Sequence, residues 1–149
     1  MLKVQIENNF IMTVFIIFLS VCSVFDIKRK EIPAILISIG LISSFGINIW
    51  QLFEGTISVA DVGTSLLPGL FFLLISFCTK EKIGYGDGLI LIVSGLMLGS
   101  YRCFLGLCIS LICSSALAVF LLMLHKVEKN SGLAFVPFLT IGMGVSIFV

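Results

Sequence analysis

The chain has 149 residues, of which 59% are hydrophobic and only 11% are charged, and its mean hydropathy is +1.24. Soluble domains carry about 25% charged residues, and a domain of this size leaves much of its surface in water. Nine basic and eight acidic side chains cannot cover that surface, so the composition excludes a soluble fold. The net charge of +1, spread between apolar runs, also argues against a nucleic-acid partner.

Six apolar runs divide the chain, and most of them approach the ~20 residues that a helix needs to cross a bilayer. They are continuous rather than alternating with polar residues, so we expect helices and not a β-barrel. The sequence predicts an all-α integral membrane protein, a six-transmembrane-helix bundle in a single domain over residues 1–149. The runs are roughly Phe10 to Phe25, Ile32 to Phe53, Ile57 to Cys78, Ile83 to Gly99, Cys103 to Leu124 and Gly132 to Val149.

Basic residues predict the orientation of the bundle, because Lys and Arg in short loops stay on the cytoplasmic side. On one side of the predicted bundle, formed by loops two and four and both termini, the only basic residues are Lys3 and Arg102. Loops one, three and five are therefore expected in the cytoplasm, with both termini outside the cell membrane. These loops hold the other basic residues, which are Lys28, Arg29, Lys30, Lys80, Lys82, Lys126 and Lys129.

The cysteines do not predict a metal site. None of them forms a CxxC pair, so zinc is not expected, and they are interpreted as small apolar residues of the bundle. No cofactor is indicated either. The five residues are Cys22, Cys78, Cys103, Cys108 and Cys113.

Acidic residues carry the functional signal, because an ionisable group at membrane depth is costly and is by default a sign of function. Asp26 ends the first run, and Asp87 lies just inside the fourth. Both adjoin cytoplasmic loops, so they are expected at the same membrane face, where they could meet. Asp61 is expected at the start of the third helix, where a carboxylate favours the helix dipole. The five glutamates lie in loops or tails, where water solvates them.

Glycines surround the second aspartate in the segment Gly84-Tyr85-Gly86-Asp87-Gly88. Each glycine weakens a helix by about 1 kcal/mol relative to alanine, so another interaction must offset that loss. Glycine permits close backbone approach or unusual dihedral angles, which predicts an irregular turn or a tight helix crossing at Asp87. The alternative is simple helix packing, for which Gly95 and Gly99 are better candidates.

The first aspartate is followed by the basic triplet Lys28-Arg29-Lys30 and then by Pro33. Pro33 suits the first turn of the second helix, where a missing amide hydrogen matters little. The triplet is interpreted as a topology signal that could also contact a polar partner near Asp26.

Together these residues resemble the prepilin peptidases, which are membrane aspartic proteases with a GxGD motif around one catalytic aspartate. Gly84-Tyr85-Gly86-Asp87 matches that motif, and Asp26 with the downstream Ile32-Pro33 matches the element of the first aspartate. The segment Phe135-Val136-Pro137-Phe138 is similar to a segment containing Pro-Phe near the end of these enzymes. The resemblance therefore covers almost the whole chain.

Two positions depart from the family pattern. Ala34 follows the Ile-Pro, where the family often has Asn, and Leu89 stands two residues after the second aspartate, where it often has Lys. The larger members also carry a methyltransferase region with paired CxxC motifs, which these residues could not form. The resemblance thus implies a member that has the peptidase activity alone.

The expected chemistry is acid–base catalysis by a pair of carboxylates. Two carboxyl groups that are close together cannot both ionise cheaply, so one stays protonated while the other activates water. The resemblance implies that Asp26 and Asp87 are the catalytic pair. It also implies a prepilin or pseudopilin substrate, cleaved after the glycine of a short leader at the cytoplasmic membrane face. Such cleavage serves a type IV pilus, a competence pseudopilus or protein secretion.

Two other classes of protein remain open. A proton-coupled transporter or ion-relay subunit would also use intramembrane carboxylates. It predicts acidic groups at several depths, whereas this chain has two candidates at one face and only Asp61 opposite. A structural membrane partner would leave Asp26, Asp87 and the glycine-rich turn unexplained.

Overall fold

In a computed structural model the chain is described over residues 2–29, 32–79, 84–124 and 134–148. Within these ranges it forms six α-helices and no strand. In chain order they are α1 (Leu2–Arg29), α2 (Ala34–Phe53), α3 (Val59–Cys78), α4 (Tyr85–Leu98), α5 (Ser100–Met123) and α6 (Val136–Phe148). The predicted all-α class is confirmed.

Four of these helices contain segments that are long and apolar enough to cross a membrane. The segments are Phe10–Arg29, Ala34–Phe53, Val59–Cys78 and Ser100–Leu121. The other two helices are apolar but shorter, with 14 residues in α4 and 13 in α6. At 1.5 Å per residue they reach about 20 Å, against a hydrocarbon thickness of about 30 Å. The chain is therefore a helical membrane protein, and the six complete spans and their orientation stay predictions.

The central helix is α4, because it packs against α1, α2, α3, α5 and α6. Nine of its 14 residues are buried, including Ile90, Leu91 and Val93. These side chains belong to an apolar core that also contains Phe15 and Leu19 of α1. A helix that is apolar on all sides suits this position, since it exposes little polar surface to its neighbours.

Small residues bring α3 and α4 into close contact. A Cβ added at Gly95 would fall on the carbonyl oxygen of Ser65, and one at Gly69 would overlap Ile92. Gly95 is thus a packing glycine, as the helix-packing interpretation expects. Gly99 is not, because an added Cβ would meet nothing within 4 Å. Its φ of +81° places it instead at the end of α4, where glycine tolerates the left-handed region.

The first helix differs most from its predicted bounds. It runs from Leu2 to Arg29 rather than from Phe10 to Phe25, so Lys28 and Arg29 form its last turn instead of a loop. Basic side chains there complement the negative end of the helix dipole. Hydropathy marks the part of a helix that suits hydrocarbon, whereas backbone hydrogen bonding continues beyond it. The other lysines of the predicted cytoplasmic loops lie outside the described residues; they are Lys30, Lys80, Lys82, Lys126 and Lys129.

Candidate active site

Asp26 lies near the end of α1 and is only 7% exposed. Its Oδ2 atom accepts a hydrogen bond of 3.0 Å from the backbone N–H of Val136, the first residue of α6. The backbone of Phe135 interacts with the same carboxylate. The first N–H groups of a helix have no partner within the helix, so a carboxylate from another helix can satisfy one of them. Asp26 therefore joins the end of α1 to the beginning of α6.

The segment that provides this N–H is well suited to begin a helix. The carbonyl oxygen of Phe135 accepts hydrogen bonds from Phe138 and Leu139, which makes Phe135 the N-cap of α6. Pro137 is the second helical residue, where no intrahelical N–H is needed. The ring of Phe135 stacks on Phe72 of α3, with centroids 5.8 Å apart and an interplanar angle of 16°. The segment that resembles the family's Pro-Phe element thus contacts Asp26 through its backbone.

Asp87 lies in the first turn of α4 and is half-buried. Gly84 is the N-cap of this helix, with φ −60° and ψ 128°, and Tyr85 is its first residue. Neither Gly84 nor Gly86 has a positive φ. The segment is therefore the regular beginning of a helix and not an irregular turn.

Close approach, the other predicted reason for these glycines, applies at two of the three. A Cβ at Gly86 would lie 3.1 Å from Cδ1 of Ile32, in the segment before α2. A Cβ at Gly88 would lie 2.6 Å from Cδ2 of Leu73 in α3. At Gly84 an added Cβ would meet only the side chain of Asp87, with Oδ2 at 3.5 Å. The missing side chains let the beginning of α4 pack between its neighbours.

The two aspartates lie at the same end of the bundle. Helix α1 packs against α4, and Ile32, six residues after Asp26, lies close to Gly86, the residue before Asp87. Burial reduces screening by water, so charges interact more strongly here than at a protein surface. Both carboxyl groups thus lie in one region of the bundle, near the N-termini of α4 and α6.

The basic residues after Asp26 and the following Pro33 differ in part from their predicted places, since Lys28 and Arg29 belong to α1 rather than to a loop. Lys28 and Arg29 are exposed beside the site, while Lys30 lies outside the described residues. Pro33 is the N-cap of α2 rather than a residue of its first turn, and its carbonyl oxygen accepts hydrogen bonds from Leu36 and Ile37. Its φ of −57° suits that place, and its lack of an N–H is again harmless.

Asp61 lies at the opposite end of the bundle. It is exposed in the first turn of α3, where its Oδ2 accepts a 2.9 Å hydrogen bond from the Ser58 N–H. Ser58 in return accepts from the helix backbone, which completes a capping box. The predicted position at the start of the third helix is confirmed, and its local role is to stabilise that helix end.

Two features of the structure could not be found from sequence patterns. The N–H of Val136 is a backbone group, and only the resemblance pointed to its segment. A cavity of about 870 Å³ near Asp61 is built from residues of five helices and a loop. Such groups come together through tertiary packing and leave no local pattern.

The fold and the positions of Asp26 and Asp87 define a helical membrane protein with two carboxyl groups at one end of its bundle. The chain matches the type IV leader peptidase family over residues 13–125, which include both aspartates and the GxGD element. It belongs to that family and is thus a peptidase, as the resemblance to prepilin peptidases predicts. The match ends before Phe135. Comparisons with curated proteins and with solved structures gave no match.

Proposed function

We propose that the chain is an intramembrane aspartic endopeptidase that removes the short leader of type IV prepilin-like or pseudopilin substrates at the cytoplasmic face of the cell membrane. The observation that carries the proposal is the position of Asp26 and Asp87, which lie at the same end of the bundle on two separate helices that pack together. Membership of the leader peptidase family supports the substrate class. A prepilin has a polar leader before an apolar helix, so its scissile bond lies at a membrane boundary. The end of a helical bundle is at the same depth.

In the proposed mechanism the two carboxyl groups have different roles. Asp26 is the base, because it accepts the hydrogen bond from the N-terminus of α6, and such bonds favour a carboxylate. In the described part of the chain Asp87 receives no comparable bond from the backbone, so the shared proton belongs on Asp87. Asp26 takes a proton from water as the oxygen attacks the scissile carbonyl carbon. Asp87 donates its hydrogen bond to the carbonyl oxygen.

The second half of the reaction restores both groups. The tetrahedral carbon collapses, the C–N bond breaks, and the leaving amine takes a proton from the acid pair. The products are the free leader and the mature chain with a new amino terminus. The pair again shares one proton, so a single domain of residues 1–149 can turn over without a cofactor.

Co-expression with a prepilin encoded in the same genome tests the proposal. The prepilin should lose its leader only when this chain is present, seen as a gel shift and as the corresponding mass difference. A prepilin that stays full-length, although both proteins are found in the membrane, would contradict the proposed substrate. Processed and full-length prepilin are compared in membranes from the same cells.

The proposed ion-relay alternative predicts proton flux across vesicles that contain the purified chain. It finds little support in the positions of the described acids. Asp61 is held in a helix cap at the opposite end from Asp26 and Asp87. Glu7 belongs to α1 rather than to a tail, but it precedes the apolar segment Phe10–Arg29 and so does not lie at intermediate depth. A relay needs groups at intermediate depth.

The proposed role of Asp26 leads to a prediction for Val136→Pro. Proline is well tolerated at the first helical position, directly after the N-cap, so α6 should still form. The variant removes only the N–H group that donates to Asp26. A hydrogen bond to a charged group is worth about 1.5–3 kcal/mol, which corresponds to a loss of cleavage rate of about tenfold to a hundredfold.

The control is Val136→Ala, which keeps the N–H but shortens the buried side chain. Initial rates of leader removal are measured for both variants in detergent solution, at equal amounts of folded protein. Equal rates for the proline and alanine variants would argue against this hydrogen bond in catalysis.

A further inference from the structure

A cavity lies at the end of the bundle opposite Asp26 and Asp87. The cavity of about 870 Å³ is bordered by Leu96–Gly99 at the end of α4, whereas Asp87 lies at the beginning of that helix. Leu96 follows Asp87 by nine residues, so this border of the cavity begins about 14 Å along α4 from Asp87. The cavity is within the usual size range of ligand sites, about 300–1,000 Å³. It is too far from the acid pair to be part of the peptidase site.

Arg102 supplies the positive charge of this cavity. It is half-buried in the first turns of α5, and its only described hydrogen-bond contact is from Nη1 to the sulfur of Met12 at 3.9 Å. A thioether sulfur is a weak acceptor, and a guanidinium has five N–H donors. Glu54 and Asp61 border the same cavity, yet neither forms an ion pair with Arg102 among the described side chains. The guanidinium is therefore available to an anionic group.

Acceptor groups supply the other half of the site. Asn48 is 6% exposed, and its amide nitrogen donates to the carbonyl oxygens of Ser44 and Leu96, both at 2.8 Å. Its own carbonyl oxygen is left to accept. One oxygen of Asp61 is used by the Ser58 N–H, which leaves the second, and Glu54 is exposed in the loop after α2. The cavity thus combines one guanidinium with two carboxylates and a buried amide.

We propose that this cavity binds the headgroup of a zwitterionic phospholipid with a primary amine, phosphatidylethanolamine. Arg102 would bind the phosphate, for which guanidinium geometry is well suited. Glu54, Asp61 and the Asn48 carbonyl oxygen would accept hydrogen bonds from the ammonium group. Acyl chains would extend over the apolar lining, which includes Phe10 and Trp50.

The balance of charge selects this headgroup over others. One arginine and two carboxylates leave the site with one excess negative charge, so a headgroup with net negative charge would be repelled. A trimethylated amine cannot donate hydrogen bonds to the carboxylates. The position also fits, since the ends of membrane helices lie at the depth of headgroups. The proposal does not depend on the peptidase activity.

Melting of the purified full chain in detergent, with lipid added, tests the proposal. Phosphatidylethanolamine should raise the melting temperature by about 5 °C at saturation, since a ligand that binds only the folded state stabilises it. Phosphatidylglycerol, phosphatidylcholine and soluble phosphoethanolamine should each give less than half of this shift. Native mass spectrometry should find one phosphatidylethanolamine retained per chain.

Variants at the charged positions make the test specific. Arg102→Gln should abolish the increase in melting temperature. Arg29→Gln should keep it, because Arg29, the other arginine of the sequence, lies at the end of α1 far from Met12 and the cavity. Glu54→Gln should bring the melting-temperature shifts caused by phosphatidylethanolamine and phosphatidylglycerol closer together, because it removes the excess negative charge of the cavity.

Three results would overturn the proposal. An undiminished shift in Arg102→Gln would show that the phosphate does not bind there. Equal shifts with phosphatidylglycerol and phosphatidylethanolamine would exclude recognition of the amine. An equal shift with soluble phosphoethanolamine would identify a small phosphate ester, rather than a lipid, as the ligand.

Discussion

Asparagine at either Asp26 or Asp87 is expected to abolish leader cleavage while the protein still inserts into the membrane. Asparagine keeps the size of the side chain but can neither take a proton from water nor donate a carboxylic acid proton. Residues that act as one catalytic unit typically contribute about 10⁴-fold or more to the rate. We therefore expect each single variant to lose at least about 10⁴-fold, and the double variant to lose little more.

Cleavage of a co-expressed prepilin measures this effect, with membrane fractionation as the test of insertion. Asp61→Asn is the matched control, because it removes a carboxylate from the opposite end of the bundle. It weakens a helix cap, which costs about 1 kcal/mol, and it should leave cleavage nearly intact. Processing that persists in Asp26→Asn or Asp87→Asn would exclude that residue from the catalytic pair.

Substitution of Gly95 by alanine is expected to lower the stability of the folded chain strongly. The new methyl group would overlap the carbonyl oxygen of Ser65, and both residues belong to buried parts of their helices. Backbone atoms cannot rotate away as a flexible side chain can, so α3 and α4 must separate. Overpacking costs about 1–3 kcal/mol in typical cases, and this contact should reach at least the upper value.

The melting temperature of the purified variant measures that loss. A change of about 3 kcal/mol corresponds to a decrease of roughly 6–12 °C for a chain of this size. Gly46→Ala in α2 is the control, because an added Cβ there meets nothing within 4 Å. That variant should melt at or slightly above the wild-type temperature, since alanine favours a helix by about 1 kcal/mol. If both variants melt alike, the close contact of α3 and α4 at Gly95 is not important for stability.

Much of the fold follows from composition, whereas helix lengths do not. Apolar runs predict helices because a backbone in hydrocarbon must form its own hydrogen bonds, and all six runs contain a helix in the described residues. The ends are less predictable. Helix α1 extends past Phe10 on one side and past Phe25 on the other, while α6 begins only at Val136. Hydropathy responds to side chains, and helix ends depend on caps such as Phe135 and Pro33.

The candidate site, like the fold, is only partly predictable from the sequence. Asp26 and Asp87 can be selected from the sequence, because a carboxyl group among apolar residues needs a special reason to be there. Their family follows from the residues around them and is confirmed by the match over residues 13–125. Their role as the catalytic pair stays a prediction, for which the asparagine variants are the direct test.

By itself, the sequence determined that this protein is a bundle of membrane helices with two acids that no soluble surface explains. Only the tertiary structure decided which groups meet those acids and which groups form the distant cavity. The N–H of Val136 lies 110 residues from Asp26, and Asn48 donates to the carbonyl oxygen of Leu96 across 48 residues. Backbone donors and acceptors are the same in every residue, so only the packing of helices reveals which of them are left for a partner.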